Sequence, residues 1–217
     1  MVGTKNGKRV PRAVREQQML DAAVAEFARC GYRSASMDDI AEAAGVSKPL
    51  VYQYLHSKED LFTACIERES AALKDAVSLG TRETAASPDQ QLWSGLCAFF
   101  AHTATYPDSW TLLYRQARGE GEPFNGLVHG MRAEIVDMVT VLIGRAAQDA
   151  GCDEDLVDRE VSGLAHALTG AAESLADWAN SRAVDRPTAK ETAATLMNFC
   201  WTGLESLMKG THWSPSR

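Results

Sequence analysis

Apolar residues in this chain recur at spacings of three and four, and almost nowhere do they alternate. A 3.6-residue period places such positions on one face of an α-helix, whereas a half-buried strand needs a period of two. No alternating run is bounded by the Asn-Gly or Asp-Gly turns that mark hairpins. The pattern predicts an all-α fold.

Glycine, proline and capping residues divide that pattern into segments. Leu20, Val24 and Phe27 form one stripe of a first helix over 14–30, and Gly31 follows as its terminator. Ser36 and Asp39 read as a capping box for a second helix that Gly45 ends after two turns. Ser47 is the next N-cap, and Pro49 sits in the first turn of a third helix over 48–55, where its missing N–H costs nothing. Ser57 and Asp60 then launch a long fourth helix toward residue 79. Beyond a polar connector at 80–88, longer helices are expected at 89–105, 108–118, 124–150, 154–181 and 188–209. Tyr106-Pro107, Gly119 to Pro123, Gly151 and Arg186-Pro187 supply the breaks.

The 217 residues suit a small domain joined to a larger one. We expect a division into 1–57, a basic arm with three helices, and 58–217, a helical body. No run approaches the roughly 18 apolar residues of a membrane span, and no apolar stretch follows the basic first residues, so a soluble cytoplasmic protein without a membrane partner is expected. Five scattered cysteines with no C-x-x-C pair read as reduced thiols. The net charge of −7 is unevenly spread. Residues 1–60 hold nine Lys/Arg against eight Asp/Glu, and the remainder 13 against 21. Lys5, Lys8, Arg9, Arg12 and Arg15 face no acid within the first fifteen residues, as expected of a DNA-contacting end on an acidic body.

The stretch from Ser36 to Lys58 has helix-turn-helix grammar. Ala41 is small where two helices cross, Gly45 turns the chain, Val46 fills the space beneath, and Val51 and Leu55 anchor the second helix. Lys48, Pro49, Leu50, Tyr52 and Gln53 are left on the outward side. Such a face suits a major groove: Gln53 matches adenine in a bidentate contact, and Leu50 packs on a thymine methyl.

Ile40-Ala41, Gly45-Val46-Ser47 and the run from Leu50 through Tyr52, Gln53 and Tyr54 to Leu61 resemble the tetracycline-repressor (TetR) family, over roughly residues 15–62. The resemblance implies a third helix that reads DNA, with Lys48 and Pro49 at base edges and Tyr52 at a phosphate. It puts Lys58 on a phosphate at the start of the fourth helix, and Ser36 and Met37 near the backbone across the groove. With Tyr54, these complete the candidate DNA-contacting set. Leu50 and Gln53 depart from residues common in relatives, so the operator sequence is not transferable.

The resemblance also implies dimerisation through the last two helices and an effector pocket in the helical body. A single helix-turn-helix buries little surface, and two on a dyad read two half-sites. Leu164, Leu168, Ala171 and Leu175 on one helix, with Phe199, Gly203, Leu204 and Leu207 on the other, are the candidate dimer interface. Phe100, Trp110, Tyr114, Met131, Ile135, Met138, His166 and Trp178 are the candidate lining of a small-molecule site, which needs mostly apolar walls with a few polar groups.

No phosphate loop, G-x-S-x-G elbow or H-E-x-x-H motif occurs, and no two histidines stand at ligand spacing, so no enzyme, metal or cofactor is expected. The reading is a ligand-responsive regulator, a repressor released from a palindromic operator by a small, largely apolar effector. An activator or nucleoid-associated protein without induction is the alternative. Dispersed genomic sites favour it, and a palindrome upstream of the protein's own gene favours the repressor.

Overall fold

A computed structural model describes residues 11–82, 86–152 and 154–208, with the side chains of 154–159 and 207–208 outside the description. Among the described residues every regular element is helical: α1 (Arg12–Ser34), α2 (Met37–Ala43), α3 (Lys48–Leu55), α4 (Lys58–Thr81), α5 (Pro88–Thr105), α6 (Pro107–Thr111), α7 (Phe124–Asp149), α8 (Glu154–Ser181) and α9 (Ala189–Met208). None is long and apolar enough to cross a membrane.

The short helices form where caps and turns dictate. Ser36 Oγ accepts from the backbone N–H groups of Asp38 and Asp39, and Ser57 Oγ accepts from Asp60 N–H at 2.9 Å. Gly45 takes a φ of +66°, open to glycine at no steric cost, and lets Val46 N–H donate to the Ala41 carbonyl. α1 differs from the expectation at its end. The chain does not stop at Gly31 but turns through a φ of +82° there and resumes helical hydrogen bonding to Ser34.

The first two turns of α4 pack with α1. Cys65 is fully buried, its thiol directed at the Leu20 carbonyl. Phe27, Tyr32, Phe62 and Phe124 form an aromatic knot with neighbouring ring centroids 4.7–6.2 Å apart, tying α1, α4 and the start of α7 together. Each such edge or tilted pair adds about 0.5–1.5 kcal/mol beyond the area it buries, so α1 and the start of α4 are held firmly to the start of α7. Farther along α4, Leu73 and Val77 face a second core made with α5, α7 and α8.

The segment expected as one α-helix over 108–118 is two structures. α6 is a single α-helical turn, and Leu112–Ala117 continues it in the wider i→i+5 register of a π-helix. Such segments are rare and concentrate at functional sites. Nothing in residue propensity encodes that register. It accompanies a column of side chains in which Trp110 stacks on Tyr114 at 4.9 Å and the Arg118 guanidinium caps the Tyr114 ring at 4.7 Å.

Candidate DNA-reading face and effector cavity

The sequence-predicted DNA residues fall on one side of α2 and α3, with exceptions. Lys48, Pro49, Tyr52 and Gln53 are exposed, and Leu50 and Tyr54 are half-buried. Val51 and Leu55 point inward. Tyr54 carries the Arg12 guanidinium 4.8 Å from its ring centre, which brings the first described basic residue onto the same face. Met37 goes elsewhere. Its side chain is buried in the core because the first turn of α2 faces α1, so only its backbone is near the predicted DNA side. Lys5, Lys8 and Arg9 lie outside the described residues.

Two of the predicted phosphate-seeking cations have internal partners. Lys48 Nζ lies 2.9 Å from Asp38, and that carboxylate raises the lysine pKa. Lys58 Nζ donates to the Arg33 carbonyl at 3.0 Å and sits 5.0 Å over the Tyr32 ring. The Lys48–Asp38 contact is weak, since solvent-exposed ion pairs contribute about 0–1 kcal/mol.

Between α4, α5, the α6–π segment, α7 and α8 lies a cavity. Its free volume is about 50 Å3 within about 710 Å3 of space between atoms, part of it open to solvent, so little of this slot is empty. Of the predicted lining residues, Trp110, Tyr114, Met131, Ile135 and Met138 meet there. Phe100, His166 and Trp178 do not. Phe100 is buried one residue out of phase on α5, where Phe99 takes the cavity position. His166 is exposed on the far side of α8, bonded to the Ser162 carbonyl through Nδ1 at 2.9 Å. Trp178 is exposed beneath the Arg182 guanidinium.

The polar end of the slot is formed by residues outside the sequence-predicted lining set. Arg118 donates to Glu173 at 2.7 Å, Arg132 donates to the same carboxylate at 3.1 Å, and Thr169 stands one turn from Glu173 on α8. A signal existed: Glu173 shares a stripe with Ala172 and Leu168 within an apolar helix, where a charge needs a partner.

The proposed dimer residues divide by face. Leu168 is buried and lines the cavity, and Leu204 is buried against the core, because both stand on the inward phase of their helices. Leu164, Ala171 and Leu175 form a half-buried stripe beside them, Gly203 is exposed, and Phe199 is 78% exposed. The side chain of Leu207 lies outside the described residues.

The cavity touches the DNA-reading half in two ways. Leu73 and Val77 belong to the helix that begins at Lys58. The π segment packs on α1, where Gln116 lies against Gly31. Nearby, the buried carboxylate of Glu69 accepts from Ser109 Oγ at 2.5 Å and pairs with Arg68, which reaches Asp21 of α1 at 2.7 Å. Burial raises the thiol pKa of Cys30, Cys97 and Cys200 and pushes Cys65 up to about 12, which disfavours the reactive thiolate at these four positions.

Comparison with known proteins agrees with this architecture. Residues 19–65 match the family model described as bacterial regulatory proteins, tetR family, and residues 88–203 match that of a tetracyclin repressor-like C-terminal domain. The HTH-type transcriptional activator FasR of Mycolicibacterium smegmatis is 31% identical over 203 residues, covering 93% of this chain and 88% of that protein. A TetR-like transcriptional regulator from Rhodococcus sp. RHA1 superposes with a TM-score of 0.76 at 36% identity, covering 91% of this chain and 99% of that one. The regulator FadR of Bacillus subtilis, solved in complex with stearoyl-CoA, shares the fold at a TM-score of 0.71 and 18% identity, over 91% of this chain and all of that one.

Proposed function

Because the chain belongs to the TetR family of bacterial transcriptional regulators, we propose that it binds a palindromic operator as a homodimer and that a largely apolar small molecule in the α4–α8 cavity sets its affinity for that DNA. One observation carries the reading: the cavity wall and the DNA-reading half share structural members. Leu73 and Val77 press on the cavity from α4, whose first residue is Lys58, and the cavity-lining π segment rests on α1. The expected division between residues 57 and 58 falls at the start of α4, the helix that links the two units.

Base reading falls to Lys48, Pro49, Leu50, Tyr52 and Gln53, while Lys58, Arg12 and the capped N-terminus of α2 at Ser36 hold phosphates. The dyad is formed by the stripe of Leu164, Ala171 and Leu175 with the exposed Phe199 and Gly203, whose small side chain allows close approach. Half-sites lie roughly 34–36 Å apart or a multiple of that, so a few ångströms of spreading at α3 breaks simultaneous contact. The ligand has this effect only if it binds the spread conformation better; couplings are typically about 1–3 kcal/mol, or 5- to 150-fold.

We read the protein as a repressor, released by its effector. The likeness to a transcriptional activator over 93% of the chain favours a second reading, in which the same DNA binding recruits transcription. Genome-wide recovery of bound DNA, followed by transcript measurement with and without the protein, tests both. The expected result is a shared palindrome with raised transcription of adjacent genes on deletion; lowered transcription selects the activator. Dispersed sites without a palindrome would overturn both operator-bound readings and favour the nucleoid-associated alternative.

A further inference from the structure

The slot is almost wholly apolar, yet three buried donors on its wall have no protein partner among the described residues: Arg118 Nε, Thr169 Oγ1 and the indole N–H of Trp110. Buried polar groups are normally paired, and each left unpaired costs the desolvation of that group. The Thr169 hydroxyl is the telling one. Thr140, Thr192 and Thr195 all donate to the carbonyl four residues back in their helices, at 2.8–3.0 Å. Thr169 does not, although the same carbonyl geometry is open to a helical threonine. The guanidinium N–H and the indole N–H can only donate. A ligand that satisfies this set must bring an acceptor.

Charge points the same way. Arg118 and Arg132 share the single carboxylate of Glu173, leaving the cluster with one positive charge in excess at the end of a mostly apolar slot. A ligand ammonium is repelled there, and an oxygen carrying negative charge or a strong carbonyl dipole is attracted. Around this polar end the wall is apolar, with Leu96, Phe99, Ile135 and Val139 among its residues, so the rest of the ligand is expected to be apolar.

We propose that the effector carries a carbonyl or carboxylate oxygen on a largely apolar body, and that Arg118 and Thr169 select it through that oxygen. The inference rests on reading this cavity as the effector site. Arg118 lies on the column that runs through Tyr114 to Trp110, and the π segment within that column packs on α1, so occupancy at the polar end acts on the element nearest the DNA-reading half.

The test is calorimetric titration of the full chain with dodecanoate, methyl dodecanoate and dodecylamine, each below its aggregation limit. Both oxygen-bearing compounds are expected to bind at least tenfold more tightly than the amine, and a gap between acid and ester separates a charge requirement from a carbonyl requirement. T169V removes the orphan hydroxyl. It should weaken the oxygen-bearing ligands fivefold or more, leave the amine unchanged, and melt no lower than the parent without ligand. R118K keeps a cation for Glu173 but loses the Nε–H, and should reduce the same selectivity. Equal binding of amine and acid, or selectivity unchanged in both variants, would overturn the proposal while leaving the cavity as effector site. Failure of all three compounds to bind would overturn the proposal and the effector-site reading together.

Discussion

Replacing Gly31 with alanine tests whether the joint between the DNA-reading helices and the body depends on a backbone shape that only glycine takes without strain. Gly31 is buried, with φ +82° and ψ 164°. That region is nearly closed to residues with a Cβ, and holding one there costs on the order of 1–3 kcal/mol. A Cβ would also stand 3.0 Å from Gln116 Oε1, the mobile end of a flexible side chain that yields at little cost. The backbone therefore dominates. For a chain of this size each kcal/mol lowers Tm by about 2–4 °C, so Gly31→Ala should melt roughly 2–12 °C below the parent, measured calorimetrically at matched protomer concentration because a dimer's Tm depends on it. The double variant with Gln116→Ala should recover only a minor part of the loss. A Tm within a degree of the parent would show that the joint tolerates an ordinary residue. Full recovery in the double variant would show that the cost was a side-chain clash.

Gln53→Ala should weaken operator binding by about 1–3 kcal/mol and relax one base position, the usual loss for a base-reading amide; equal weakening on operator and random DNA, by fluorescence anisotropy, would put Gln53 on the backbone. Burial lowers the His102 pKa below its ordinary 6.5, only partly opposed by the nearby Glu69 carboxylate. The unfolded chain then binds the proton better, so stability is complete above about pH 6.5 and falls as pH drops toward the folded pKa. Tm measured from pH 8 to 5 should decline less in His102→Gln than in the parent, and parallel curves would assign the decline to other groups.

The DNA-reading end was legible because its rules are local. Ser36, Gly45 and Ser57 act within three residues of themselves, and their hydrogen bonds and φ follow from residue type. Helical periodicity likewise announced Val51 and Leu55 as anchors. Met37 shows the limit, since periodicity over a seven-residue helix does not decide which turn faces α1.

In the body, the sequence by itself determined the order of the helical segments and the pool of large apolar residues, since these depend on chain-local period and on prolines and glycines. Only the tertiary structure decided which of those residues meet. One residue of phase separates Phe99 in the slot from Phe100 outside it, and a fraction of a turn separates Leu168 at the cavity from Leu164 and Leu175 on the open stripe. The π register at Leu112–Ala117, the sharing of Glu173 by Arg118 and Arg132, and the unpaired donors beside them arise from helices distant in sequence. Their energies depend on contacts across 40 residues or more, as in Arg132 with Glu173, and no local rule of propensity or capping carries that information.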